Sequence, residues 1–338
     1  MPQPFISIII PVFNNAQDIR RCIKSVLRQT FDDIEVIVVD DGSSDGSIDT
    51  IRLCAADYSR IRILKEAHHG VSSARNVGIE AAQGEYIVFI DADDDIEEHY
   101  LQNLADKAKQ SHADILLCGI KRCFADGHTE EWELERKGIF SRKDFLKDLP
   151  SEQYGQLQGI YGFVANKMVK REIVNRFNLR FDATMNLMED YSFFLDCYAH
   201  CESFMCLSET GYRYRIHDGH LRENNPREVS YMQLIDVQTK CVELLKRETV
   251  WTATNEQILF DVIGRLVLAM FLEMRVVNTT LVRSCLSYVG LNRCCIPALQ
   301  MLHTNKRILK HLILMKNVTF LKLYVKAWRF YLHARTWR

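Results

Sequence analysis

The chain has 338 residues, 47% hydrophobic and 26% charged, a balance that suits one large globular domain or a domain with an appendage. Its net charge of −1 excludes the basic excess of a nucleic-acid-binding protein. No stretch approaches roughly 18 uncharged apolar residues, so no transmembrane helix is expected.

Phe5 to Ile10 is a continuous apolar run closed by Pro11, which predicts a buried strand. In Asp18 to Gln29, the residues Ile19, Cys22, Ile23, Val26 and Leu27 follow helical spacing. Ile34 to Val39 predicts a second strand, stopped by Asp40-Asp41-Gly42, with a helix from about Asp45. Ile61 to Leu64 reads as a third strand, Ala74 to Ala82 as a helix, and Tyr86 to Ile90 as a fourth strand. Strands alternating with helices imply parallel βαβ units, in which ligands bind at the carboxyl ends of the strands. The polar clusters Pro11–Asn15, Asp40–Asp45 and Asp91–Asp95 all fall at such ends.

The pattern weakens after Ser111. Ile115–Cys118 predicts a strand, and Glu130–Lys137 a charged loop. Phe163–Val174 and Glu189–His200 read as helices, and Tyr212–Ile216 as a strand. After Pro226 the chain reads as helical throughout.

The 11 cysteines are odd in number, no C-x-x-C pair occurs, and the residues before the first strand do not read as a signal peptide, so none is expected. Reduced, structural thiols in a cytoplasmic protein are expected.

Asp91-Ala92-Asp93-Asp94-Asp95 crowds carboxylates at a strand end, which like-charge repulsion makes costly without a cation. A hard divalent metal resolves this and bridges to diphosphate oxygens. An EF-hand fits poorly, because Ile96 stands where the loop needs Gly and Gln102 where it needs a bidentate Glu. A haloacid-dehalogenase-type phosphatase would carry its Asp-x-Asp on the first strand, not the fourth. The bland reading is a solvated loop capping a helix from about Glu97.

Four segments in order carry a resemblance. They are Ser7-Ile8-Ile9-Ile10-Pro11-Val12-Phe13-Asn14-Asn15, Val38-Val39-Asp40-Asp41-Gly42-Ser43-Ser44-Asp45, Gly70-Val71-Ser72-Ser73-Ala74-Arg75-Asn76, and Gly84-Glu85-Tyr86 running into Phe89-Ile90-Asp91-Ala92-Asp93. Together they resemble the family-2 inverting glycosyltransferases of the GT-A fold, strongly over residues 5–120 and more weakly over 160–220. The resemblance implies a Rossmann-like mixed α/β sheet flanked by helices, with a helical C-terminal extension. A catalytic domain would span 1–222, with a nucleotide-sugar half at 1–120 and an acceptor half at 121–222. The basic helical region would be 223–338.

The roles it implies go residue by residue. Pro11 and Phe13 would pack on the base and ribose, with Asn15 in the same turn. Asp41, or Asp40, would accept from the uracil N3–H. Arg75 would meet the diphosphate or base. Asp91 would sit near the ribose beside Ala92, and Asp93 would bind Mn²⁺ or Mg²⁺. In Met188-Glu189-Asp190-Tyr191, Asp190 would be the general base and Glu189 its neighbour. Lys167, in a partial match to a W-N-K-L-type motif, would reach donor phosphate or acceptor. Arg215 would help neutralise the diphosphate, and His217 would ligate the metal or touch it.

The implied activity is transfer of a sugar from a nucleotide-sugar, UDP-linked by expectation, with inversion. Its acceptor would be a glycan or lipid-linked glycan in surface polysaccharide or lipopolysaccharide synthesis. Two other classes compete. A nucleotidyltransferase would need a Gly-rich basic loop after the first strand, which Pro11–Asn15 lacks; a non-catalytic nucleotide-sugar-binding module would not need Asp93 and Asp190.

From Met274 to Arg338 there are 12 Lys or Arg and no Asp or Glu. Leu321, Tyr324, Val325, Trp328 and Leu332 share one helical face, beside Lys322, Lys326, Arg329 and His333. This composition suggests that 306–338 meets an anionic membrane on the inner face of the plasma membrane, or forms a homo-oligomer surface.

Overall fold

In a computed structural model, residues 3–55, 58, 60–155, 159–216, 227–274, 276–304 and 306–335 are described. The chain divides into two compact units, residues 1–185 with 189–220, and 186–188 with 221–338.

The first unit begins with β1 (Ile6–Val12), α1 (Ile19–Leu27), β2 (Ile34–Asp40), α2 (Ser47–Ala55), β3 (Ile61–Lys65), α3 (Val71–Ala81) and β4 (Tyr86–Phe89). These are the strands and helices that hydrophobic periodicity predicts. There follow β5 (Asp95–Ile96), α4 (Tyr100–Ser111), β6 (Ile115–Leu117), β7 (Ile120–Cys123), β8 (Thr129–Trp132), β9 (Gly138–Ser141) and α5 (Arg142–Gln153). The unit closes with β10 (Lys167–Lys170), α6 (Arg171–Arg176), α7 (Glu189–His200), β11 (Ser203–Cys206) and β12 (Tyr212–Arg215).

Eight strands form one mixed sheet in the order β3-β2-β1-β4-β10-β6-β11-β9. β1 runs parallel to β2 and β4, and β2 parallel to β3, while β10 is antiparallel to both its neighbours. A second sheet has the order β5-β12-β7-β8. β1 and β4 are buried along their whole length, which is why both read as unbroken apolar runs. Helix α3 lies so close to β1 that a Cβ at Gly78 would strike Ile9 Cγ2, so only glycine fits there. At the amino ends of the strands, Ser7 Oγ donates to Glu35 Oε1 at 2.6 Å, and the Gln83 amide donates to the same oxygen at 2.6 Å. That buried polar knot closes the edge of the sheet opposite the loops where β1, β2 and β4 end.

Several expectations for the middle of the chain are corrected. Phe163–Val174 is not one helix: Lys167–Lys170 is strand β10, pairing Met168 with Val88 and Leu116, before the short α6. Sheet pairing with strands far away in sequence overrides the local helical spacing there. Glu130–Lys137, read as a charged loop, begins inside β8, which pairs with β7. The helix expected from about Glu97 begins at Tyr100, because Asp95–Ile96 pairs with β12. Asp94 and Asp95 are therefore not helix caps; both are buried in the sheet junction.

The second unit is helical: α8 (Arg227–Arg247), α9 (Ala253–Leu272), α10 (Thr279–Leu291), α11 (Cys295–Met301), α12 (Arg307–Leu314) and α13 (Val318–Arg335). Thr252 and Asn278 cap α9 and α10 by accepting from the amides of Asn255 and Leu281. All 11 cysteines are free, ten of them buried. No helix among the described residues is long and apolar enough to cross a membrane.

Candidate active site

Three loops at the carboxyl ends of β1, β2 and β4 converge, as the βα alternation requires. The first two are laced together. The Asn14 amide donates to Ser43 Oγ at 2.9 Å, the Asn15 amide to Ser47 Oγ at 2.8 Å, and the Ser44 amide to Asn14 Oδ1 at 2.9 Å. Asn14 takes φ +48°, a left-handed conformation that asparagine tolerates better than most residues. Pro11 lies within β1, and Phe13 emerges beyond it to stack on His68, with ring centroids 3.9 Å apart and planes 18° apart.

Asp40 and Asp41 are both buried but differently engaged. Asp41 accepts from the His69 and Gly70 amides, each at 2.8 Å, and meets His68 Nδ1 at 2.8 Å. Both its oxygens thus hold the loop that leads into α3. Asp40 accepts from the Ser43 amide at 3.3 Å through Oδ1.

The acidic turn after β4 is pinned from three sides. Tyr212 is fully buried, and its hydroxyl accepts from the Asp91 amide at 3.1 Å while donating to Asp94 Oδ2 at 2.8 Å. The Arg215 amide donates to Asp94 Oδ1 at 2.8 Å. Burial, with the charges of Asp91 and Asp93, pushes the Asp94 carboxyl well above the usual carboxylate range, against these bonds. From α1, Arg21 Nη2 donates to the Asp93 carbonyl at 2.7 Å, and its Nη1 meets Asp18 at 2.9 Å. Asp95 takes its charge partners from Arg21, Arg213 and Arg215, the closest being Arg215 Nε at 2.6 Å. The Arg215 guanidinium therefore serves Asp95. The half-buried carboxylates at the front of the turn are Asp91 and Asp93, with Ala92 buried between them.

Arg75 on α3 joins this turn to the start of α7. Its Nη2 donates to Asp91 Oδ1 at 2.9 Å and its Nη1 to Asp190 Oδ1 at 2.5 Å, with Glu189 Oε1 3.5 Å away. The segment before α7 is docked on α3 by Asn76, whose side chain bonds both the amide and the carbonyl of Phe181 at 2.9 Å. Phe181 in turn stacks on Phe193 of α7 and lies 5.2 Å from the Arg75 guanidinium. That packing brings together residues 115 positions apart in sequence.

One guanidinium faces three carboxylates here, so their charge is not fully offset. Burial pushes the Asp190 carboxyl up to about 7, opposed by Arg75 and reinforced by the charges of Glu189 and Asp91. About a fifth of its side chain remains exposed, enough to meet a ligand. Burial works against the charge of Arg75, but the carboxylates outweigh it and hold the guanidinium above its ordinary pKa.

Lys167 has a different place from the one its motif suggests. It is 1% exposed, and its ammonium donates to the carbonyls of Ile160 and Phe163 and to Asn166 Oδ1, at 3.3, 2.5 and 2.7 Å. It ties the 160–166 segment from inside, and burial pushes its pKa down to about 7. His217 lies outside the described residues. Sequence reasoning passed over His68, Arg21 and Tyr212. An aromatic inside a strand and an arginine on a helix carry no motif, and their part depends on which turn they touch.

The glycosyl transferase family 2 profile matches residues 7–176, just over half of the chain. The chain belongs to that family. Its mixed sheet with flanking helices matches the fold of the solved structures to which it is similar. It is 35% identical over 221 residues to EpsJ, an uncharacterized glycosyltransferase of Bacillus subtilis (strain 168), covering 65% of this chain and 63% of EpsJ. The chain spans 50–63% of the length of EpsJ and three further curated relatives that it matches. Among solved structures, S. aureus TarS 1–349 in complex with UDP-GlcNAc superposes with a TM-score of 0.70 at 19% identity, covering 96% of this chain and 91% of that one. The mannosyltransferase PcManGT of Pyrobaculum calidifontis, in complex with GDP-Man and Mn²⁺, gives 0.50 at 16% identity, with 97% and 86% covered. At these identities the superpositions speak for the fold alone.

Proposed function

We propose that the protein transfers a sugar from a UDP-sugar to an acceptor hydroxyl with inversion, in the synthesis of a surface glycan. The observation that carries this reading is the Arg75 junction. It sets the acceptor-side carboxylate Asp190 and the donor-side carboxylate Asp91 on the two terminal nitrogens of one guanidinium. A single displacement needs a base close to the reacting carbon and apart from the departing diphosphate. Asp190, on α7 rather than on the β4 turn, is the carboxylate we assign to that role.

In the proposed reaction the acceptor oxygen forms a bond to the anomeric carbon as the bond to the diphosphate oxygen breaks. Asp190 takes the hydroxyl proton, and a base with a pKa near 7 suits that task at neutral pH. Glu189, one residue earlier in the first turn of α7, would orient the acceptor. Arg75 would share its charge with the departing diphosphate. On the donor side, Phe13 and His68 present a stacked aromatic pair beside Asp40, whose carboxylate would accept a hydrogen bond from the uracil imide N–H. A UDP-linked donor draws support from the UDP-GlcNAc held by the TarS structure.

The two half-buried carboxylates fit a divalent cation. Among the described residues, no group of three or more His, Cys, Asp or Glu could hold a metal ion. Mg²⁺ and Mn²⁺ accept one or two carboxylates and complete their shells with phosphate oxygens and water, which suits Asp93 with Asp91 beside it. Bound there, the ion would offset the negative charge of the leaving diphosphate.

A panel of UDP-sugars with Mn²⁺ or Mg²⁺, scored by UDP release and by thermal protection, tests the reading. Metal-dependent release of UDP from at least one donor is expected. No protection and no release across UDP-, GDP- and dTDP-sugars would overturn it.

A further inference from the structure

Helix α13 is apolar on two sides. Leu321 and Val325 are fully buried, so the stripe expected to face a membrane is, at these residues, core of the helical unit. The side chains of Arg329, Leu332 and His333 lie outside the described ones. A different set stands in solvent: Phe320, Leu323 and Phe330 are 60%, 59% and 78% exposed. With Ala327 they recur at i, i+3, i+7 and i+10, one face of the helix. Ile308 and Met315 are likewise exposed on α12 and at its end. Five of the thirteen large apolar side chains exposed among the described residues thus fall within 306–335. Single exposed apolar residues are ordinary, but a clustered apolar face marks a surface that meets something.

Charge says what that partner is. No acidic residue occurs from Met274 to Arg338, while Lys and Arg number 12. Lys326 is exposed beside Leu323 and Phe330 at helical spacing, and Lys316 is exposed just before the start of α13. Lys322 and Lys310 are instead engaged within the unit, on Thr279 and on the carbonyls of Gln300 and Leu302. A second copy pairing through this same face would bring the same positive charge to the contact and repel it. Anionic lipid headgroups complement the lysines, and the acyl boundary takes phenylalanine and leucine.

We infer that the Phe320–Leu323–Phe330 face of α13, with Lys316 and Lys326, is a docking surface for an anionic lipid bilayer. No span is involved; the helix lies in the interface. The surface is independent of the donor and base assignments, since it can bind lipid with the catalytic site empty.

The test is co-sedimentation of the full chain with vesicles of phosphatidylcholine alone or with phosphatidylglycerol added. Binding to the anionic vesicles, weakened by salt, is expected. Each lysine near such a surface contributes on the order of fivefold, so Lys316→Glu with Lys326→Glu should weaken binding by at least about 25-fold. Phe320→Ser, Leu323→Ser and Phe330→Ser together should weaken it at least about tenfold, with unchanged circular dichroism because all three are exposed. Equal binding to neutral vesicles, or wild-type binding by the triple variant, overturns the inference. So does a lipid-free dimer, seen by light scattering and dissolved by the triple variant, in a chain that ignores vesicles.

Discussion

Replacing Asp190 by asparagine separates catalysis from architecture at the Arg75 junction. The substitution keeps the shape of the side chain and removes its negative charge. The introduced amide oxygen can still accept from Arg75 Nη1, while Asp91 and Glu189 still compensate the guanidinium. Three carboxylates on one guanidinium become two, so the electrostatic balance of the junction improves. The sign follows from the raised pKa. Asp190 supports folding fully below the ordinary carboxyl range of about 3.9, and this support is lost as pH rises through about 7. At pH 8 the asparagine variant should therefore unfold at the same temperature as the parent or higher. Its rate should fall by about 10²–10⁴, the usual contribution of a general base, equivalent to about 2.7–5.4 kcal/mol in the barrier. Initial rates of UDP release at saturating donor and acceptor give the first quantity, and calorimetry the second. In the parent, kcat/KM should rise with pH through an apparent pKa near 7 and level off above it, and the variant should lose that limb. A variant within threefold of the parent rate would refute the base assignment. A variant that unfolds well below the parent would refute the electrostatic argument.

Three further outcomes follow from the same geometry. Asp93→Asn should abolish Mn²⁺-dependent thermal protection by UDP; full protection in the variant would remove Asp93 as a ligand. Arg75→Met strands Asp91, Glu189 and Asp190 together and should cost about 3 kcal/mol in urea unfolding at pH 8, and less at pH 5.5 as the raised Asp190 carboxyl takes up a proton; a cost that does not change with pH would contradict the shared-charge account. Tyr212→Phe leaves the Asp91 amide and Asp94 Oδ2 without their buried partner and should cost about 1–3 kcal/mol, with a raised KM for metal-bound donor; unchanged stability would mean the hydroxyl bridge does not hold the turn.

The donor half was the more legible part of the chain. β1, β2 and β4 are largely apolar because they lie inside a sheet covered on both faces, and such runs announce themselves in sequence, while β3 at the sheet edge alternates with Arg62 and Lys65. The acidic turn also announces itself, because carboxylates in a row need an explanation. Residues 120–215 were harder to read. β10 and β11 are four residues each and owe their state to neighbours far away in the chain, as when Met168 pairs with both Val88 and Leu116. Lys167 shows the same limit at one residue: its motif suggested an anion, and folding turned it inward onto three oxygens.

The order of the βα units, the turn at Asp91-Ala92-Asp93 and the acid-free C-terminal segment all follow from sequence alone, because composition and short-range period decide them. Tertiary structure decided which carboxylates meet. Nothing local distinguishes Asp93 from Asp95, yet one stands at the front of the turn and the other lies behind it among three arginines. Nothing local places Asp190 on Arg75 either; that contact depends on Asn76 and Phe181 docking α7 against α3. The same holds for α13, where periodicity finds an apolar face but only packing tells whether that face is buried. Pairing over long sequence distances sets these choices, and no short window of residues contains both partners.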